Sequence, residues 1–283
     1  MNTANLKSFH YLEDGGISFS ILDTVKTTNK LDAGSYVISY EGYPVNKVKI
    51  KVDRDTETSK IHDFPDKEKL DNLFSSFFDK KVVAKVKSLG FNHKIGILFY
   101  GKEGTGKSTI MKHYYNKSIK NNSAIVFYVD CANEHVKDIW DFISDVRMIQ
   151  ENPIVIVLDE FDVQIKNHNE AFFKTVLDGT QSINNCIFMA STNYIDLIPT
   201  AMKDRPSRFK YSLNIEGIQN VDAVESLVTK MLFGLFEEAE LKEYSSELKG
   251  HTLDAIKQFC LDKIMDIKTY QTKKSNPIGF GKK

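Results

Sequence analysis

Phe99-Tyr100-Gly101-Lys102-Glu103-Gly104-Thr105-Gly106-Lys107-Ser108-Thr109 decides how the rest of this chain is read. An apolar run, Ile95 to Tyr100, enters a glycine-rich loop, and a helix-compatible segment, Ser108 to Tyr115, leaves it. Gly101, Gly106, Lys107 and Ser108 fit the spacing G-x-x-x-x-G-K-[ST]. Gly104 and Gly106 let the backbone curl so that successive N–H groups point inward at phosphate oxygens. The helix that starts near Lys107 adds its N-terminal partial positive charge. Lys107 is suited to the β and γ phosphates and the Ser108 hydroxyl to Mg²⁺. Four fixed positions recur by accident in roughly one chain of this length in a hundred, and the strand before and helix after lower that further. The expected nucleotide-binding set is Gly101, Glu103, Gly104, Thr105, Gly106, Lys107, Ser108 and Thr109.

Outward from this loop, strands and helices alternate. Ile95–Tyr100, Ala124–Val129, Ile154–Leu158, Cys186–Ala190 and Phe209–Leu213 read as five strands. Their continuous apolar runs are those of parallel strands buried on both faces. Ser108–Lys117, the Val136/Ile139/Trp140/Ile143/Val146 stripe and the Phe172/Phe173/Val176/Leu177 stripe read as the helices between them. The expectation is an α/β P-loop NTPase with a five-stranded parallel sheet, its ligand at the carboxyl ends of the strands.

The third strand runs into Leu158-Asp159-Glu160-Phe161-Asp162. A carboxylate at that strand end, beside a phosphate loop, is placed to hold Mg²⁺ directly or through water, which assigns Asp159. Glu160 then polarises the attacking water, since loose phosphoryl transfer needs a positioned water more than a strong base. The fourth strand ends in Ala190-Ser191-Thr192-Asn193, where the Asn193 amide suits a hydrogen bond to that water or to the γ-phosphate, or serves as a turn residue. Arg205-Pro206-Ser207-Arg208-Phe209 precedes the fifth strand. Its two arginines either stabilise charge on a γ-phosphate, in a neighbouring subunit's site if need be, or form a solvated pair.

Before this core, residues 1–64 read as a small β-rich region with strands near Ile17–Leu22, Ser35–Tyr40 and Val45–Val52 and alternating lysines on a solvated face. Leu70, Leu73, Phe74, Phe77 and Phe78, continued by Val82, Val83 and Val86, form a helical segment that opens a nucleotide-binding domain over 65–215. After 216 the strands stop. Helices marked by Val224/Leu227/Val228/Met231/Leu235 and by Leu253/Ile256/Cys260/Ile264, the second capped by Thr252, form a lid to residue 270. Residues 271–283 read as a flexible basic tail.

Lysine plus arginine and aspartate plus glutamate both total 38, so no global field points to nucleic acid or membrane. Cys131, Cys186 and Cys260 match no metal spacing and suit a reducing compartment as small buried hydrophobes. The first residues lack the pattern of a signal peptide, and no apolar stretch is long enough to span a membrane, so the expected location is cytoplasmic.

The phosphate loop, Asp159-Glu160-Phe161-Asp162, Thr192-Asn193 and Arg205-Pro206-x-Arg208-Phe209, in this order, together resemble the AAA+ ATPases, and within them the AAA clade proper. Leu177-Asp178-Gly179 looks like that clade's intersubunit-signalling segment, and Gly250-His251-Thr252-Leu253-Asp254-Ala255-Ile256 like its lid element. The approach His93 to Gly101 and the compact lid are most similar to the Bcs1-like branch and its small phage-type relatives. The resemblance implies that Asn193 senses the γ-phosphate and that Arg205 and Arg208 are arginine fingers acting in trans. It implies a ring, usually a hexamer, with ATP rather than GTP between subunits. Departures are Lys102-Glu103 in place of two prolines, Thr180 in place of an aromatic, and no aromatic–apolar–glycine pore triplet in Cys131–Lys137. Trp140 fits a buried helix face.

The expected function is therefore an ATPase that couples hydrolysis to remodelling a protein or nucleic-acid partner. The rivals are a helicase- or clamp-loader-type AAA+ protein, an ATP-dependent assembly scaffold, and a small-molecule kinase on the same loop.

Overall fold

The computed structural model describes residues 9–11, 17–19, 30–41, 47–53, 61, 64, 66–129, 136–168, 170–178 and 182–274. The N-terminal part holds β1 (Phe9–Tyr11), β2 (Ile17–Phe19), β3 (Gly34–Glu41), β4 (Lys47–Asp53), α1 (Lys67–Phe78) and α2 (Lys80–Ser88). Then come β5 (Lys94–Tyr100), α3 (Lys107–Asn122), β6 (Ile125–Val129), α4 (Val136–Ile149), β7 (Ile154–Leu158), α5 (Phe161–His168) and α6 (Glu170–Asp178). β8 (Cys186–Thr192), α7 (Thr200–Lys203) and β9 (Tyr211–Asn214) complete the sheet, and α8 (Val221–Leu232), α9 (Glu238–Glu247) and α10 (Leu253–Lys274) follow it.

The sheet order is β4-β3-β6-β7-β8-β5-β9. The five strands read from the sequence are its parallel core, from β9 to β6. Alternation along each strand feeds two cores. Ile125, Phe127, Ile154, Ile156, Cys186 and Phe188 face α4–α7, while Val126, Val155, Val157, Ile187 and Met189 face α1 and α3. Both faces are covered by helices, which is why these strands are apolar at every position rather than at every second one.

The sheet has seven strands, not five, and is mixed. β3 pairs parallel with β6, Gly34 opposite Ile125 through Ile38 opposite Val129, and β4 returns antiparallel on the outer edge. Tyr36 and Ile38 turn into the same core as Phe127 and Trp140, so the hairpin closes an edge that β6 would otherwise leave open. The Gln150 side chain, at the end of α4, pins its approach: Leu31 N donates to Gln150 Oε1 at 2.8 Å, and Gln150 Nε2 donates to Leu31 O at 3.1 Å. The expected strand at Ile17–Leu22 is β2, paired with β1 rather than with the hairpin, and its last residues lie outside the described ones.

The single helical segment expected after residue 65 is two helices. Asp79 breaks it with an extended backbone and caps α2, accepting from Lys81 N at 2.7 Å and Val82 N at 3.1 Å. α1 buries Leu70, Phe74 and Phe77, whereas α2 buries nothing. Trp140 is buried on α4, stacked on Phe188.

The C-terminal segment read from the sequence as a lid has three helices around its own core of Val224, Leu227, Val228, Leu241, Ile256 and Cys260. α9 carries almost no apolar periodicity and is started instead by a capping box of Glu237 and Glu240. Thr252 caps α10 as expected, its hydroxyl accepting from Ala255 N at 3.3 Å. α10 runs to Lys274, past residue 270 where the sequence reading begins a flexible tail. Gln271, Lys273 and Lys274 are good helix formers and the first proline comes only at 277. Residues 275–283, the pore-loop segment Cys131–His135, and Gly179 and Thr180 lie outside the described residues. Among those described, no helix is long and apolar enough to cross a membrane.

Candidate active site

β5, β7 and β8 end side by side, and their following turns enclose a cavity of about 220 Å³. It is lined by Glu103, Gly104, Gly106, Lys107, Ser108 and Thr109 of the loop, by Asp159 and Glu160 after β7, and by Ser191, Thr192 and Asn193 of β8 and its end. The loop's curl is real: Gly101, Gly104 and Gly106 have φ of 143°, 74° and 94°. A Cβ on Gly101 would fall 2.1 Å from Ile215 O, so that position admits only glycine.

Lys107 is buried at the head of α3. Its ammonium donates to Gly101 O (2.8 Å), Lys102 O (2.9 Å) and Asn193 Oδ1 (2.6 Å). Burial pulls it below the usual lysine value, and the carboxylates of Asp159, Glu103 and Asp162 oppose that pull. Asp159 accepts from Ser108 Oγ (3.0 Å) and Tyr128 OH (2.9 Å) on one oxygen. On the other it accepts from Ser191 Oγ and from Glu160 N (3.3 Å). Burial, then the Asp159 carboxylate, push the Tyr128 phenol above its ordinary value, so it stays a donor.

Glu160 has φ 50°, the left-handed region that a residue with a side chain seldom adopts. This sharp turn out of β7 keeps both acidic side chains on the cavity. It is held from both sides: Glu160 O accepts from Val163 N (2.9 Å) and Gln164 N (3.2 Å), and Gln164 Nε2 donates to Asp159 O (2.6 Å). Phe161, fully buried, anchors it edge-on against Phe173 and Phe209. Strain held in place by its surroundings is typical of functional positions.

A second cavity, about 440 Å³, joins the first at Gly106 and Thr109. Ile61, Phe64, Ile215, Ile218, Leu227 and Leu253 give it apolar walls. The lid reaches the loop here. Asp254 N, at the start of α10, donates to Gly104 O at 3.1 Å, and a Cβ on Gly106 would meet Leu253 at 3.2 Å.

Of the residues read from the sequence, the structure brings Glu103, Gly104, Gly106, Lys107, Ser108, Thr109, Asp159, Glu160 and Asn193 onto one cavity. Thr105 is buried and lines the second cavity instead, its hydroxyl donating to Lys102 O (2.9 Å). Arg205 and Arg208 are not among the cavity's lining; both lie at Asp178, the end of α6. Their settings differ. Arg205 is 62% exposed and bonds Asp178 at 2.9 Å, whereas Arg208 is 6% exposed. Arg208 donates from Nη1 to Ala201 O (2.7 Å), and its Nε stands 3.8 Å from Asp178. The resemblance gives both arginines the same role, but Arg208 is enclosed by its own chain and Arg205 is open to solvent.

Sequence reasoning missed Tyr128, Ser191, Thr192 and the apolar walls. The signal for Tyr128 was a hydroxyl near the carboxyl end of an apolar strand; it sits opposite Val157, two residues before Asp159. For Phe64 and Ile61 it was two apolar residues in an otherwise polar approach to the first helix.

The residues fit a nucleoside triphosphate with a divalent cation. The loop's N–H groups, the α3 N-terminus and Lys107 offer positive potential, the apolar cavity suits a base, and Ser108 with Asp159 is the hard-oxygen pair that Mg²⁺ prefers. Fold and site together are those of a P-loop nucleotide-binding protein.

Comparison with known proteins narrows the class. Residues 97–216 match the model of the ATPase family associated with various cellular activities (AAA). The chain is 25% identical to the ATPase family gene 2 protein of Saccharomyces cerevisiae over 201 residues, 63% of this chain and 25% of that protein. It is 27% identical to the vesicular-fusion protein SEC18 of the same yeast over 176 residues, 52% of this chain and 23% of that one. Protein CdcH of Halobacterium salinarum is 26% identical over 143 residues, 45% of this chain and 18% of CdcH. These matches support an AAA-type ATPase core over residues 97–216 of the chain. The chain spans a quarter or less of the length of these relatives, and its placement in the Bcs1-like branch is carried by the sequence resemblance alone.

Proposed function

We propose that this chain hydrolyses ATP to ADP and phosphate and couples that step to remodelling a macromolecular partner, as a ring of identical subunits in the cytoplasm. The observation that carries the reading is the convergence of Lys107, Ser108, Asp159, Glu160 and Asn193 on one cavity that opens into an apolar pocket beneath the lid.

Each residue then has a task. The loop N–H groups and Lys107 bind the phosphate oxygens, with Lys107 exchanging its bonds to loop carbonyls for bonds to the ligand. Ser108 and Asp159 hold Mg²⁺, which when bound neutralises charge developing on the phosphates. Glu160 orients the attacking water and takes its proton. Asn193, already on Lys107, reports the terminal phosphate to β8. Arg205 stabilises charge in a neighbour's site, and Arg208 fixes the segment that carries it. The bond from Asp254 N to Gly104 O ties the loop to α10, so a change at the phosphates moves the lid. By their names, SEC18 acts in vesicular fusion and the yeast gene 2 protein is an ATPase; a protein partner is the reading nearest to these relatives.

The test is ATP turnover against protein concentration for wild type and Glu160→Gln, with mass by light scattering. Turnover is expected to rise with assembly. The variant is expected to bind ATP and assemble but to turn over about 10³-fold more slowly. Concentration-independent turnover by a monomer overturns the ring, and stimulation by single-stranded DNA replaces the protein partner with a nucleic acid.

A further inference from the structure

Among the described residues, four carboxylates and one ammonium line the phosphate cavity: Glu103, Asp159, Glu160 and Asp254 against Lys107. Asp159 and Glu160 have tasks at the cation and the water, and Glu103 belongs to the loop itself. Asp254 comes from elsewhere, the first turn of α10, and no step of hydrolysis calls for it. Its N donates to Gly104 O at 3.1 Å, which seats the helix start on the loop. A Cβ built on Gly104 would stand 3.2 Å from Asp254 Cβ and 3.3 Å from Oδ2, so this carboxylate oxygen lies against the loop. The other oxygen, Oδ1, takes Lys257 Nζ at 3.4 Å in a pair largely open to solvent. Lys257 itself lines the apolar cavity, not the phosphate cavity.

We propose that Asp254 limits nucleotide affinity: its carboxylate repels the phosphates that the loop attracts, so that ADP leaves faster than the loop alone would release it; this rests on the ATP reading of the site. The loop N–H groups are what bind phosphate, and Oδ2 stands against that loop. Like charges at such short range oppose each other appreciably even where water and salt screen them. Lys257 does not cancel the charge. An exposed pair is loosely held, and this one turns its negative end to the loop and its positive end to the apolar cavity. Asp254 also occupies a favourable helix end. The start of α10 carries partial positive charge beside Gly104, which would suit a phosphate, and Asp254 meets it with a charge of the chain's own. An acid in the first turn stabilises any helix, which accounts for a carboxylate there. Its place on the phosphate cavity makes the same group repulsive to the ligand. Because the residue rides on α10, the repulsion acts only while the helix start stays on Gly104.

The experiment measures displacement of a fluorescent ADP analogue from the full chain, with Mg²⁺ present, by ATP, ADP and adenosine. Asp254→Asn is expected to bind ATP and ADP about tenfold more tightly than wild type and to release ADP correspondingly more slowly. The gain should shrink as salt is raised. Adenosine, which has no phosphate, should bind wild type and variant alike. Asp254→Glu, which keeps the charge, should stay within about twofold of wild type for all three ligands. Unchanged or weaker ADP binding by Asp254→Asn overturns the proposal, and a loss would make the carboxylate a ligand for the cation or the sugar. Equal tightening of adenosine overturns it too, because that reports a moved α10 and not a removed charge. So does an Asp254→Glu variant that gains as much as Asp254→Asn. If neither wild type nor either variant binds ATP or ADP, the nucleotide-site reading itself falls, an outcome distinct from nucleotides that bind with an affinity indifferent to Asp254.

Discussion

Two charged clusters sit about this sheet, and they are built on opposite plans. At the phosphate cavity, Lys107 holds Asn193 and Ser108 holds Asp159, so the lining side chains are tied to the loop within one chain. At the end of α6, one carboxylate, Asp178, gathers three cations: Arg205 at 2.9 Å, Arg208 at 3.8 Å and Lys94 at 4.0 Å. Lys94 also donates to Leu177 O and to Ser182 Oγ (2.7 Å), locking the helix end in place. Three cations on one carboxylate leave positive charge over. Two of the three are enclosed, and the surplus is presented by Arg205 alone, 62% exposed. The first cluster is closed on itself within one chain; the second leaves one cation open to solvent, and in the proposed ring that cation would face another subunit's phosphates.

The sharpest way to break that comparison is to remove each arginine separately. Arg205→Ala is expected to lower turnover of the assembled protein by about 10²-fold or more, the scale of a lost donor to developing phosphate charge. ATP affinity and melting temperature should stay as in wild type, because an exposed ion pair contributes little to stability. Mixing Arg205→Ala with Glu160→Gln subunits should restore part of the turnover, since each supplies what the other's site lacks. No loss of turnover in Arg205→Ala would mean that the exposed arginine is a solvated charge and the two clusters are not coupled.

Arg208→Ala should fail differently. It removes a buried guanidinium, leaves Ala201 O without its donor and opens a space beside α7. Breaking a buried charged contact costs about 3 kcal/mol, or roughly 6–12 °C in melting temperature for a domain of this size. Thermal melts of the two variants side by side make the check. Equal melting temperatures would place Arg208, like Arg205, at the service of a neighbour.

How much of this was legible follows from where the signal lies. The parallel core could be read because burial on both faces writes itself as unbroken runs such as Ile154–Leu158, and the phosphate loop because glycine geometry admits few spellings. β3 and β4 are legible as strands but not as members of this sheet. Alternation in β3 shows which face is apolar but not which strand edge it will join, and the join depends on Gln150, more than a hundred residues away. α9 was invisible because its start is a capping box and its buried residues are few. At the site, Asp159 and Glu160 stood out as charges after an apolar run. Tyr128 did not, since a tyrosine near the end of an apolar strand reads as core until the neighbouring strand brings a carboxylate to its hydroxyl.

A third carboxylate gives the scale against which both clusters can be judged. Asp71 on α1 accepts from Tyr114 OH at 3.1 Å, from Lys67 Nζ at 3.3 Å and from Lys117 Nζ at 3.3 Å, tying α1 to the helix that follows the phosphate loop. It has as many side-chain donors as Asp159 but is not among the residues lining the phosphate cavity. Burial would raise its carboxyl; the Tyr114 hydroxyl and the two lysines outweigh burial and hold it below the usual carboxylate range. A carboxyl held low in the folded state stabilises the fold fully above its unfolded value of about 3.9, and that contribution is lost as pH falls through the lower folded value. Asp71→Asn should therefore melt about 1–3 °C below wild type at pH 7, the worth of a partly exposed network, and the gap should close as both are taken below about pH 4. Nucleotide affinity at pH 7 should not move. If instead Asp71→Asn weakens ATP binding while its melting temperature holds, then donor count around a carboxylate does not separate structural from ligand-facing sites in this chain, and the contrast between the two clusters would have to rest on exposure alone.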